Sequence, residues 1–452
     1  MKFYLPNFED LVDPEYDFLT DRPSTNRNDR WLHDRMAHDF FDNPIFDGML
    51  VSKASISPIA EKYIRKAGGI HPFTRLNAAS PIMGDCGAFT YLLSEKPVYS
   101  VQQTLDYYQE FGFDYGVSLD HLSFVTIEML EGALKQGKVK EQWWQNKTNE
   151  QLQSERFELT LQNAQEFLDL HTRQKPTFKP IGIAQGSTPE HFYIAVERLI
   201  KMGYEYIALG GLVKHKDHQL IPILERLQPL IKNGIKIHIF GVARLKLIPE
   251  FIRLGVTSAD SSAPLRKAFL GNRNYWVADG KPPYQAIRVP EVTSKRTKRG
   301  VHTINKVLQF NAHLSPETLA EMEQKALASL RAYDKGQMEL PDVLETVLAY
   351  DRLFRDKDDY SKEYERTLSD KPWQACDCPI CKKIGIEVLI FRGNNRNRRR
   401  GFHNVKVFYE QMQYIQEHPE LLSQMEAVED EEPEEIEDET IPKQLMLDEV
   451  WT

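Results

Sequence analysis

From about residue 45 to 275, short apolar runs alternate with stretches of helical spacing, and no other feature of the chain narrows its fold so far. The runs are Gly48–Ser52, Pro81–Gly84, Tyr115–Leu119, Ile181–Ala184, Tyr204–Leu209, Ile235–Phe240 and Val256–Ala259. Between them lie Gln102–Phe111, Glu155–His171, Pro189–Met202, Leu220–Ile231 and Leu247–Leu254, with apolar residues three and four apart. Strands that alternate with helices form a parallel sheet, because each helix must carry the chain back before the next strand begins. Seven or eight such units predict an α/β fold closed as a (β/α)8 TIM barrel.

Nearly every apolar run ends on a polar or glycine signature. Asp85 follows PIMG, Asp120 follows GVSL, and Gln185-Gly186 follows GIA. Gly210-Gly211 follows YIAL, Gly241 follows IHIF and Asp260 follows VTSA. One aspartate after a strand is explained by capping of the next helix. Six signatures at equivalent places predict a shared site, since a barrel gathers its strand ends at one mouth.

The remainder divides by composition. Residues 1–300 are expected to hold the catalytic barrel with an N-terminal extension, and 301–425 a helical zinc-binding subdomain. Helices are expected within 315–355 and over 404–418. Residues 426–452 carry twelve acids against Lys443 alone and hold too few apolar residues to fold unaided. That acidic tail hides the character of the body: the net charge of −9 becomes +2 without it. A nucleic-acid partner is therefore not excluded.

The apolar share of 41% and charged share of 27% are those of a globular protein. No run reaches the length of a membrane span, so no membrane partner is expected. The opening MKFYLPNFEDLVDPEYD has no apolar signal core, which points to a cytoplasmic protein.

Only four cysteines are present, too few for a disulfide framework, and three crowd together as Cys376, Cys378 and Cys381 in CDCPIC. Three closely spaced thiolates and one remote imidazole complete a tetrahedral Zn²⁺ shell with no open position, the pattern of a structural site. His403 is the expected fourth ligand, with His302 and His313 as rivals. Between Cys381 and His403 the segment FRGNNRNRRRGFH carries Arg392, Arg396, Arg398, Arg399 and Arg400. This reads either as a solvated basic loop or as a phosphate-contacting surface. Lys295, Arg296, Lys298 and Arg299 form a second basic cluster, and Arg266 a further candidate.

Taken in order, these motifs resemble the tRNA-guanine transglycosylase superfamily over about residues 80–270 and 376–410. The acid/base motif of that family is matched by DCGAF at Asp85–Phe89, and its guanine-binding aspartate by Asp120 in GVSLDH. GIAQG matches at Gly182–Gly186, and the G-G-L motif at Gly210, Gly211 and Leu212. The nucleophile motif is matched by Arg253, Gly255, Asp260, Pro264 and Arg266, and the C-x-C-x-x-C zinc motif by the cysteines. Cys86, Ala88 and Thr90 stand where the tRNA enzymes usually have Ser, Gly and Gln. With the acidic tail and the arginine run, these departures make the chain most similar to the DNA 7-deazaguanine transglycosylase (DpdA) branch.

The resemblance implies exchange of guanine in DNA for 7-cyano-7-deazaguanine through a covalent aspartyl-glycosyl intermediate. Asp260 would be the nucleophile and Asp85 the general acid/base. Asp120, Gln185, Gly210 and Gly211 would read the base, with Cys86 and Leu212 as pocket walls. The same exchange on tRNA is the alternative, and a non-catalytic nucleic-acid-binding barrel a second; a carbohydrate hydrolase is weakened by the zinc motif and GIAQG. An accessory ATPase, a homodimer and a modification-restriction role are also implied by the resemblance.

Overall fold

The computed structural model describes residues 1–419 apart from 8, 279, 293–304, 306, 310, 312–313 and 356–358. The second basic cluster, His302, His313 and the acidic tail lie outside these residues.

Eight parallel strands close into a barrel in sequence order. They are β1 (Lys2–Asn7), β2 (Gly48–Ser52), β3 (Ile82–Asp85), β4 (Tyr115–Val117), β5 (Lys179–Ala184), β6 (Tyr206–Leu209), β7 (Lys236–Ile239) and β8 (Ser258–Asp260). Seven coincide with the expected runs. The eighth strand is the N-terminal KFYLPN, which no apolar run announces. It closes the ring by pairing with both β2 and β8, Tyr4 opposite Gly48 and Asp260.

Side chains alternate across the barrel wall. Tyr4, Leu50, Met83, Val117, Ile181, Ile183, Tyr206 and Ala208 fill the interior, while Phe3, Leu5, Met49, Val51 and Ile82 face the outer helices. Gly84 on β3 and Gly116 on β4 let Tyr108 lie flat on the wall: a Cβ at either would stand 2.4–2.5 Å from its ring. The helices are cut to length by local chemistry. Thr188 caps Pro189–Met202, which ends at Gly203 in the left-handed conformation, and Ser100 and Gln103 form a capping box at Val101–Phe111.

The C-terminal residues form helices Pro316–Asp334, Leu340–Asp351 and Ser361–Asp370, and a two-stranded sheet of β9 (Ile287–Arg288) with β10 (Ile390–Phe391). The last helix begins at Gly393, well before the expected 404, and runs to Glu417. It lies against the barrel at β1, where the Phe3 and Phe408 rings stand 4.8 Å apart and Tyr409 donates to Asp47 at 3.1 Å. It thus occupies the outer position left by the very short helix Ala263–Lys267 after β8.

This early start overturns the expected arginine surface. Arg392, Arg396, Arg399 and Arg400 are at most 5% exposed. Arg392 pairs with Asp21 at 2.7 Å and Glu323 at 2.6 Å, and Arg396 with Glu387 at 2.7 Å and with Asp21. Arg398 and Arg399 donate to the carbonyls of Leu11 and Asp13, and Arg400 to those of Ala268 and Val388. The helix presents residues four apart on one face, and that face meets acids and carbonyls from remote segments. The run ties residues 11–21 to the C-terminal subdomain rather than touching phosphate.

Candidate active site and metal centre

The ends of β3, β4, β5, β6, β7 and β8 bring the expected signatures to one mouth. Asp120 is 2% exposed, Gln185 1%, Asp260 4% and Cys86 fully buried, whereas Asp85 is half-buried. The residues expected to read the base are already joined. Cys86 Sγ–H donates to Asp120 Oδ1 at 2.9 Å, and Gln185 Nε2 donates to Asp120 Oδ2 at 2.6 Å. Tyr91 donates to the Cys86 sulfur at 3.0 Å and holds the thiol in place. These bonds account for the close grouping of Asp85, Cys86 and Asp120 without a cation.

Burial dominates the electrostatics. It pushes the Asp120 carboxyl up to about 7, with the Asp85 charge adding to the effect. Asp85 is pushed up to about 6, again chiefly by burial and further by Asp260, although bonds from Ser52 and the Gly87 amide favour its charged form. Asp85 is therefore poised to give and take a proton near neutral pH.

Asp260 sits differently. Its Oδ1 accepts from the Gly241 amide at 2.9 Å and from His238 Nε2 at 3.2 Å. Gly241 adopts φ +71°, a conformation that favours glycine, and so aims its N–H into the mouth. The carboxylate has the polar, hydrogen-bonded setting that a nucleophile needs.

Glycine geometry shapes the far wall. A Cβ at Gly210 would fall 2.2 Å from Gln185 Nε2, and one at Gly211 would fall 2.9 Å from Gln185 Oε1 and 3.3 Å from the Phe124 ring. Only glycine leaves room for the amide to lie against this backbone, with buried Leu212 behind it. Arg266 stands just beyond Asp260, half-buried, with its Nε unpartnered among the described residues.

Sequence reasoning missed Ser52, Tyr91, Phe124 and His238. His238 was legible only as the polar residue of IKIHIF, where alternation would have turned it into the barrel.

The thiols and imidazole converge away from this mouth. His403 Nδ1 lies 3.6, 3.5 and 3.6 Å from the sulfurs of Cys376, Cys378 and Cys381. Tetrahedral zinc, with Zn–S of about 2.3 Å and Zn–N of about 2.0 Å, has S···N edges of about 3.5 Å, so the four fit that ion. His403 Nε2–H donates to the Trp276 carbonyl at 2.8 Å, which turns the Nδ1 lone pair toward the sulfurs. Tyr275 stacks on the imidazole at 4.1 Å.

Residues 49–281 match the family described as queuine tRNA-ribosyltransferase. The chain is also 38% identical over 434 residues to a DNA-guanine transglycosylase of Salmonella montevideo, covering 92% of this chain and 97% of that one. Among the described residues, no helix is long and apolar enough to cross a membrane.

Proposed function

The chain belongs to the tRNA-guanine transglycosylase superfamily, in its DNA-guanine transglycosylase branch, and from that premise we propose that it replaces guanine in DNA with 7-cyano-7-deazaguanine. It is a pentosyltransferase. The observation that carries the reading is the meeting of Asp85, Asp120 and Asp260 at one barrel mouth, each in a different electrostatic setting.

The exchange proceeds by two displacements. An Asp260 oxygen forms a bond to the sugar C1′, and the electron pair of the C1′–N9 bond leaves with guanine, which takes a proton from Asp85. The incoming base then gives its N9 proton to Asp85 and forms C1′–N9, while the C1′–O pair returns to Asp260. Two inversions restore the configuration at C1′. Asp120 accepts from N1–H and the exocyclic amine, Gln185 Oε1 shares the N1–H beside the carbonyl, and the Gly211 amide donates to the carbonyl oxygen. Adenine and pyrimidines leave these groups unpaired and are rejected.

Lys214 Nζ stands 5.3 Å from the Phe124 ring on the Gly211 wall. A cation there suits the nitrile of a 7-cyano base and repels a protonated aminomethyl group. Zinc at Cys376, Cys378, Cys381 and His403 holds the C-terminal subdomain together and takes no part in the reaction. Arg266, in the short helix after β8, is the remaining candidate for holding the DNA strand.

The test is nucleoside mass spectrometry of DNA and tRNA after incubation of the protein with 7-cyano-7-deazaguanine. The base is expected in DNA; its appearance in tRNA alone would replace the polymer assignment with the tRNA alternative.

A further inference from the structure

Beneath Asp260 lies a buried chain of polar groups that the reaction above does not use. Tyr206 Oη and Ser258 Oγ are 2.6 Å apart, Ser258 Oγ and His238 Nδ1 are 2.6 Å apart, and His238 Nε2 lies 3.2 Å from Asp260 Oδ1. His238 and Ser258 are fully buried. Burial raises the Tyr206 phenol to about 12, so it stays a donor.

One proton arrangement satisfies every member. Tyr206 donates to Ser258, Ser258 donates to Nδ1, and the Nε2–H of His238 donates to Asp260. The opposite tautomer would reverse the chain, leave the Tyr206 proton without an acceptor in it, and turn a lone pair toward a carboxylate. Both donors to Asp260, the His238 ring and the Gly241 amide, fall on Oδ1.

We infer that His238 is a positioning residue that occupies Asp260 Oδ1, reserves Oδ2 for attack on C1′, and shortens the life of the glycosyl ester. The inference rests on the reading of Asp260 as nucleophile. When Oδ2 bonds to C1′, Oδ1 becomes a neutral carbonyl oxygen; when that bond breaks, its electron pair restores the carboxylate. Hydrogen bonds to an ionised acceptor are about twice as strong as those to a neutral one. The His238 bond therefore favours the carboxylate over the ester and speeds the second displacement.

The test uses the full chain, a guanine-containing DNA oligonucleotide and free guanine as the incoming base. Protein–DNA adduct is allowed to form, chased with excess guanine, and quenched by denaturation at timed intervals. His238→Phe keeps the aromatic packing against Tyr4 and Phe240 but removes the donor; its adduct should persist about tenfold longer than that of the native protein. His238→Gln retains a donor nitrogen of similar reach and should restore the native chase rate. Ser258→Ala releases the tautomer lock without disturbing the ring and should slow the chase severalfold. A native chase rate in both His238→Phe and Ser258→Ala, or a His238→Gln protein as slow as His238→Phe, overturns the inference. If the native protein forms no adduct and Asp260→Asn exchanges guanine normally, it is the nucleophile assignment that fails instead.

Discussion

Gln185 Nε2 donates to Asp120 Oδ2 at 2.6 Å, while Gln185 Oε1 is buried with no partner among the described residues. The amide is thus oriented by the acid beside it and keeps one acceptor in reserve. A buried acceptor without a partner is costly in a resting protein, and a purine edge is the donor that removes the cost. Gln185→Leu should raise the KM for the incoming base by about tenfold to a hundredfold, in line with one lost buried bond. Steady-state exchange of labelled guanine measures it, and an unchanged KM would remove Gln185 from the base-reading set.

Asp120 is predicted to be a stability cost at alkaline pH. Its folded value of about 7 stands above the ordinary 3.8, as does that of Asp85 at about 6. The folded state therefore binds more protons than the unfolded one between these values. Its stability is fully present below about pH 4 and declines as the pH rises through 7. Asp120→Asn should raise the denaturation midpoint at pH 8, by a margin that disappears near pH 4, while lowering guanine exchange at least about a hundredfold. A variant less stable than the native protein at pH 8 would contradict the buried-charge account.

Exchange itself should depend on pH through the same carboxyls. The kcat/KM profile is expected to bend between about pH 6 and 7, with apparent values that belong to the Asp85–Asp120 pair rather than to either residue. Asp85→Asn should lower kcat by about 10²–10⁴ and abolish the part of the profile due to proton transfer. A profile flat from pH 5 to 9 in the native protein counts against Asp85 as the proton carrier.

Removing the metal should loosen the C-terminal subdomain. A strong chelator, or Cys378→Ser, is expected to release one zinc per chain and lower Tm by on the order of 10 °C, because the ion's binding energy is folding energy. Metal analysis and a thermal melt decide this; a native melt after complete loss of zinc would show that the cluster carries no load.

The buried arginines make a contrasting prediction. Arg396→Ala leaves Asp21 with Arg392 alone and Glu387 with Arg331 alone, which should cost about 1–3 kcal/mol in stability. Below its melting temperature, the variant should bind DNA with native affinity and native salt dependence. A lower salt slope would restore the phosphate-contact reading.

The barrel and its mouth were legible because both depend on local pattern: apolar runs become strands, and a residue at a strand end must reach the mouth. Asp85, Asp120, Gln185 and Asp260 follow from that rule alone. β1 escaped it because Lys2–Asn7 has no run of β-branched residues and includes Pro6, which parallel pairing tolerates only near a strand end. The arginines escaped it for a different reason. Arg392 and Arg396 are neutralised by Asp21, Glu323 and Glu387, each remote in sequence, so no local window contains both charge and countercharge. His238 was hidden as well, since one polar residue in a strand gains meaning only from its neighbours on the adjacent strand, here Ser258 and Asp260.

The placement of β1 between β2 and β8 also sets an order of assembly. On the ribosome, Lys2–Asn7 emerges ahead of the other strands, yet its second neighbour comes with Ser258–Asp260 and its covering helix only with Gly393–Glu417. Until then the sheet stays an open ribbon with raw edges at β1 and β8, and Asp260 lies on one of them. A nascent chain halted before Gly393–Glu417 would thus carry Asp260 on an unsealed seam, and synthesis must pass that helix before the mouth is whole.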